Sequence, residues 1–419
     1  MKKFIKAYFF IIVLIVLSCK TKNEKEIEVT SDIEVAAFTK GEFGYDRAFL
    51  KDHYKNTFVL ENKAEQSAII ISPELQGRVM TSSLQGDHGK SFGWLNYELI
   101  QSKETMEHIN PTGGEERFWL GPEGGQYSIF FAPGTSFDFE NWYVPASLDT
   151  EAFSLIEKNS SSAIFLKEMQ LLNHSGTKFD LEINRKIVLL NKTQIREALN
   201  VRSDDFKAVA YQTENEIKNI GENDWKKDSG LLSIWLLSML NPSKKTTVVV
   251  PIKQGSLKDK GPLVNDDYFG KIAPDRLKRT ERTIYYKADG KSRGKIGVSA
   301  LRSNGFMGSY DADQEVLTIL EIAEPDPNRS YVNSAWELQD KPYEGDVLNS
   351  YNDGKLGDGV QMGPFYEIES SSPALALKSG DSYTHTQRIY HFQGGKEILD
   401  EIAIKILAVS IDEIESALD

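Results

Sequence analysis

The run FDLEINRKIVLL, Phe179–Leu190, places Phe179, Leu181, Ile183, Ile187 and Leu189 on one face and Asp180, Glu182, Asn184 and Lys186 on the other. A period of two is the signature of a half-buried strand. Arg185 interrupts the apolar face, so it requires a carboxylate partner or an opening to water. AIFLKEMQLL precedes this run and ends in Asn173-His174-Ser175-Gly176, which predicts a hairpin with a short polar turn. Comparable runs recur at SAIIIS, FKAVAYQT, LLSIWLLSML, TTVVVP, RTIYYKA, KIGVSA and EVLTILEI, many of them separated by Gly, Asn, Asp and Ser. Strands at this spacing, from Thr57 to about Phe392, predict an all-β sandwich rather than alternating β-α units. Helical spacing emerges only at the end, where Ile398, Leu399, Ile402 and Ile406 predict a short C-terminal helix.

The start of the chain follows another pattern. Lys2, Lys3 and Lys6 flank the apolar run Ala7–Leu17, which has the length of an export signal. A membrane-spanning helix needs about 20 apolar residues. The run closes on Val-Leu-Ser-Cys, which resembles the lipobox of bacterial lipoproteins. That resemblance implies cleavage before Cys19 and lipid attached to its thiol. Cys19 is the one cysteine of the chain, so no internal disulfide forms. Lys20–Asp32 is charged and lacks a core-forming pattern, as expected of a tether. The expected organisation is a signal peptide at 1–18, an anchor and tether at 19–32, and a single β domain over 33–419. The expected location is the bacterial cell envelope, at the outer membrane. The formal net charge of −13 argues against nucleic acid as a partner.

Polar and aromatic residues concentrate in GGEERFWLGPEGG, Gly113–Gly125, just before the apolar run YSIFF. One expectation is a long turn leading into a strand. The other is a ligand-binding loop, with Arg117 as a planar fork of donors, Trp119 as a stacking plate, and Glu115, Glu116 and Glu123 as acceptors. Asn333 and Trp336 lie in a second loop of the same character, and Trp142 and Trp235 are further aromatic candidates. Asp311–Asp313 and Asp353–Asp358 offer oxygen ligands for calcium but lack a calcium-loop spacing. No cofactor or metal is therefore expected. Nucleotide-binding, serine-hydrolase and zinc-protease motifs are absent from the sequence.

Two blocks, YQTENEIKNIGENDWKKDSGLLSIWLL (Tyr211–Leu237) and GPFYEIESSSPALALKSGDSYTHTQRIYHF (Gly363–Phe392), resemble the galactose mutarotase-like superfamily, which includes aldose 1-epimerases. In the first, Asn215, Asn219 and Gly221 match the superfamily's turn element. The opening loop looks like that of secreted relatives without an assigned function. The resemblance implies a β-supersandwich with a cleft on a concave sheet. It also implies a glutamate base, matched by Glu369, with Glu367 on the same strand face. The histidine acid of the epimerases has no counterpart at Ser233-Ile234-Trp235. His385 is then the acid candidate; His391, six residues on, is about 20 Å away along an extended strand. The leading expectation is an envelope lipoprotein that recognises carbohydrate. The alternatives are an aldose epimerase-like isomerase and a structural envelope protein.

Overall fold

The computed structural model describes residues 37–355, 359 and 361–419. The leader, Cys19, the tether and Asp358 lie outside the described residues. Strands β1 (Phe58–Asn62), β2 (Ser67–Ser72) and β3 (Arg78–Ser83) form a three-stranded sheet. Next come β4 (Arg117–Gly121), β5 (Ser154–Lys158), β6 (Ser162–Leu172), β7 (Lys178–Leu190), β8 (Lys207–Asn219), β9 (Ser233–Leu240) and β10 (Thr246–Pro251). They are followed by β11 (Leu277–Arg279), β12 (Thr283–Lys287), β13 (Gly294–Val298), β14 (Phe306–Asp311) and β15 (Val316–Ile322). The last strands are β16 (Leu348–Asn352), β17 (Tyr366–Ser371) and β18 (Ser382–Gln393). A ten-stranded sheet has the order β11-β12-β10-β14-β15-β18-β8-β7-β6-β5, and a five-stranded sheet the order β13-β16-β17-β9-β4. The architecture is all-β.

The alternation of β7 explains how the two larger sheets pack. Its buried residues Phe179, Leu181, Ile183, Ile187 and Leu189 join Phe118 and Leu120 of β4, Ile234 and Leu236 of β9, and Ile368 of β17 in one core. The opposite face of the ten-stranded sheet is also covered. There Leu317, Ile319, Tyr390 and Phe392 pack against Leu399, Ile402 and Ile406 of the helix Lys396–Leu407. This is the expected C-terminal helix, and a second short helix, Ile411–Glu415, follows it.

Several elements differ from the sequence expectation. YSIFF is irregular, and the strand is RFWLG, inside the stretch expected to be a loop. Helix Phe43–His53 was not expected. Phe43, Phe49 and Leu50 lie on its buried side against Ile70 and Met80 of the three-stranded sheet. A second unforeseen helix, Lys192–Leu199, begins at a reciprocal cap between Asn191 and Gln194. Among the described residues no helix is long and apolar enough to cross a membrane.

Candidate functional site

The register of the five-stranded sheet decides which side chains meet. Arg117 pairs with Leu237, Leu237 with Glu369, Glu369 with Asn349, and Asn349 with Gly297. On one side of that row Trp119 pairs with Trp235 and Trp235 with Ser371. On the other, Met239 pairs with Glu367, Glu367 with Tyr351, and Tyr351 with Lys295. Directly paired residues share a sheet face. The intervening Phe118, Ile234, Leu236 and Ile368 take the other face, which packs with β7 of the ten-stranded sheet, so the polar and aromatic set occupies the face turned away from that sheet, where Trp119 and Trp235 are buried as well.

On that face Glu369 is fully buried, and its Oε2 accepts from Lys295 Nζ at 2.9 Å and Trp235 Nε1 at 2.8 Å. Arg117 Nη2 lies 3.7 Å from Glu367 Oε1, and its guanidinium sits 4.0 Å above the Trp119 ring. Lys295 Nζ lies 4.9 Å from the Trp235 ring. Tyr268 donates to Asp346 Oδ2 at 2.7 Å and accepts from Asn349 Nδ2 at 3.1 Å. Gly297 makes this approach possible, since a Cβ there would meet Asp346 Oδ2 at 2.1 Å. Three side chains on this face keep buried polar atoms without a hydrogen-bond partner among the described residues: Arg117 at Nε and Nη1, Glu369 at Oε1 and Ser233 at Oγ. A cavity of about 20 Å³ remains between Trp235, Lys295, Tyr268, Asn349, Asp346 and Ser334. That is water-sized.

Burial, and then the charge of Glu369, push the Glu367 carboxyl up to about 8. Burial pushes Glu123 up to about 7, against the pull of Lys295. Burial opposes the charge of Lys295, yet Glu369 and then Glu123 hold its ammonium above the usual range. The face thus combines two proton-holding carboxyls, two cations and the ion-paired Glu369. Such a set can move a proton or bind hydroxyl groups, which donate and accept together.

Of the residues singled out in the sequence, the structure brings Arg117, Trp119, Trp235, Glu123, Glu367 and Glu369 together, but Trp119 offers no open plate. It is 3% exposed, lies beneath Arg117, and donates its ring N–H to Leu148 O at 3.1 Å. Three expected site residues face the space between the sheets instead. Glu116 accepts from Arg185 Nη2 at 2.8 Å and Gln387 Nε2 at 2.7 Å. Glu115 accepts from Ser82 at 2.7 Å and lies 3.0 Å from His391 Nε2. His385 lies 2.9 Å from Ser370 Oγ, and burial pulls its imidazole down to about 4. It is a neutral core histidine, placed on the opposite side of β17 from Glu367 and Glu369. For Glu116 and His385 the physical reason is parity, since Glu116 and the histidine's partner Ser370 are odd steps from Arg117 and Glu369; Glu115, an even step from Arg117, precedes β4 and is held by Ser82 and His391 instead.

Asn333 forms a turn, its Oδ1 accepting from Ala335 N at 3.0 Å, while Trp336 stacks on Trp142 at 5.7 Å. Of the calcium candidates, Asp311 accepts from Ser243 and the amides of Asp313 and Gln314, and Asp353 accepts from Tyr351 and Gly363. Among the described residues no group of three or more His, Cys, Asp or Glu is arranged to hold a metal ion. Lys295, Tyr268, Asn349 and Asp346 went unforeseen. The signal for Lys295 was alternation in GKIGV, where it is the one long side chain opposite buried Ile296.

No curated protein matches this sequence. Solved structures similar to the chain include a galactose mutarotase-like protein from Lactobacillus casei, at 11% identity and a TM-score of 0.46, covering 80% of this chain and 100% of that one. Another is a galactose mutarotase related enzyme from Lactobacillus acidophilus, at 10% identity and a TM-score of 0.44, covering 80% and 97%. The model of a family of unknown function, DUF6786, matches residues 41–418, and the chain belongs to that family.

Proposed function

We propose that the protein recognises carbohydrate through the outward face of its five-stranded sheet, as a lipid-anchored protein of the bacterial cell envelope. The observation that carries the reading is the set of buried, unpartnered donors and acceptors beside Trp235. Arg117 supplies donors, Glu369 an acceptor, and Ser233 both. Leaving such atoms unpaired costs about 1–3 kcal/mol each, which a hydroxyl-rich ligand recovers. The cavity holds a hydroxyl but not a sugar ring, so binding requires the covering segment with Val332, Ser334 and Asp346 to move aside. That segment is clipped to the loop after β4 by a reciprocal pair between Gln126 and Gln339, at 2.9 and 3.0 Å.

A glycan array probed with residues 33–419 tests the reading. Arg117→Ala should weaken the best glycan by about 1–3 kcal/mol. Unchanged affinity would remove the cleft from recognition. The leader and Cys19 support the anchor. Cys19→Ser should abolish labelling by a palmitate analogue, and undiminished label would refute it.

A second reading, an aldose epimerase-like isomerase, is favoured by one observation. Glu367 holds its proton beside an ion-paired Glu369, giving an acid and a base on one strand face. Anomer interconversion of the best-bound sugar, followed by polarimetry, separates the two. A rate above that of buffer supports catalysis, and a rate equal to it leaves recognition alone.

A further inference from the structure

Large exposed aromatics are few on the described surface, and two of them lie on one patch. Phe139 is 55% and Tyr143 42% exposed, with His108 between them at ring separations of 4.5 and 4.6 Å. The His108 ring is fixed, its Nδ1 lying 2.8 Å from Trp142 O. Behind this surface Phe139 stacks on Trp142 at 6.1 Å and 22°, and Trp142 on Trp336 at 5.7 Å and 24°. Trp336 is two residues from Ser334, which lines the cleft. The rings thus run without a break from open surface to the edge of the candidate site.

The rim of the patch selects its occupant. Glu107 and Glu140 are exposed beside it, and Glu107 accepts from the Tyr143 hydroxyl at 3.4 Å. Carboxylates here repel nucleic acid and anionic lipid, but they accept hydrogen bonds from hydroxyl groups. Aromatic faces meet the C–H face of a pyranose. We propose that Phe139, His108 and Tyr143 form a second subsite that stacks a neutral sugar unit, so that the ligand is an oligosaccharide rather than a single sugar. This rests on the carbohydrate reading of the cleft.

The test is calorimetry of residues 33–419 with cello-, xylo- and manno-oligosaccharides, from the monosaccharide upward. Affinity should rise by at least about tenfold with chain length in one series. Phe139→Ala/Tyr143→Ala should cancel that rise and leave the shortest bound sugar unaffected. Both side chains are exposed, so the melting temperature should hold; if it falls, Tyr143→Ala alone is used. A length-independent affinity, or a rise that survives the variant, overturns the subsite while the cleft reading stands. No binding by any sugar overturns both. Binding to phosphatidylglycerol vesicles that the variant loses would assign the patch to a membrane and overturn the proposal.

Discussion

Glu123 and Glu367 hold protons where most carboxyls have lost them, and this makes stability depend on pH. Their ordinary value is 4.5, and in the folded chain they stand at about 7 and about 8. Below pH 4.5 both states are protonated and the two carboxyls cost nothing. As pH rises the unfolded chain ionises first, while the folded chain must either keep the proton or bury a charge. Stability is therefore lost from about pH 4.5 up to about pH 8. For Glu123 the loss amounts to at most about 3 kcal/mol, at 1.36 kcal/mol per pH unit, and less where solvent screens it. Glu123→Gln cannot titrate. Its urea midpoint should fall less than that of the parent between about pH 5 and about pH 9. Parallel curves for the two proteins would show that Glu123 is solvated.

At the scale of elements, two signals carried what was legible. β6, β7 and β8 stand where alternation predicted strands, because one buried face imposes that period, and β9, β10, β12, β13 and β15, buried almost throughout, stand where short apolar runs predicted them. Both signals failed at β4, where Arg117 and the neighbouring glycines and glutamates interrupt the apolar run although all five residues are buried. With both faces covered, Arg117 and Trp119 are as enclosed as Phe118 and Leu120, and polarity no longer marks the solvent side. The glycines before it belong to the same close packing. A Cβ on Gly113 would meet Trp94 O at 2.1 Å, and one on Gly114 would meet Arg78 Cδ at 2.3 Å, both at positive φ. These two glycines let the chain pass between packed neighbours. Helix Phe43–His53 was illegible for a different reason. Its buried side mixes aromatics with Gly44 and Asp46, so no aliphatic stripe marks it. Asp46 tolerates burial by holding its carboxyl near 6 and accepting from Tyr97 at 2.6 Å. The cleft was half legible. Glu367 and Glu369 could be placed on one face from parity alone, whereas Lys295 and Asp346 enter from strands and loops whose pairing a local pattern does not encode.

At the scale of the whole molecule, polar side chains tie the sheets together. Arg185 of β7, Gln387 and His391 of β18 and Ser82 of β3 converge on Glu115 and Glu116, just before β4, and Ser370 of β17 joins them by donating to Gln387. All three sheets contribute, and Arg185 and both glutamates are fully buried. Arg185 interrupts the apolar face of β7 because Glu116 answers it across the sandwich. Such a pair adds little over an apolar core, but removing one partner strands a buried charge. Glu116→Ala should therefore destabilise the fold by about 3–5 kcal/mol in urea unfolding. Glu116→Leu/Arg185→Met, which removes both charges, should recover most of that loss. Glycan binding at working temperature should persist in the folded fraction of each variant, because Glu116 points away from the face that carries Arg117. A Glu116→Ala protein that unfolds like the parent but no longer binds would place this network in the ligand's reach and contradict the division between the two sides of β4.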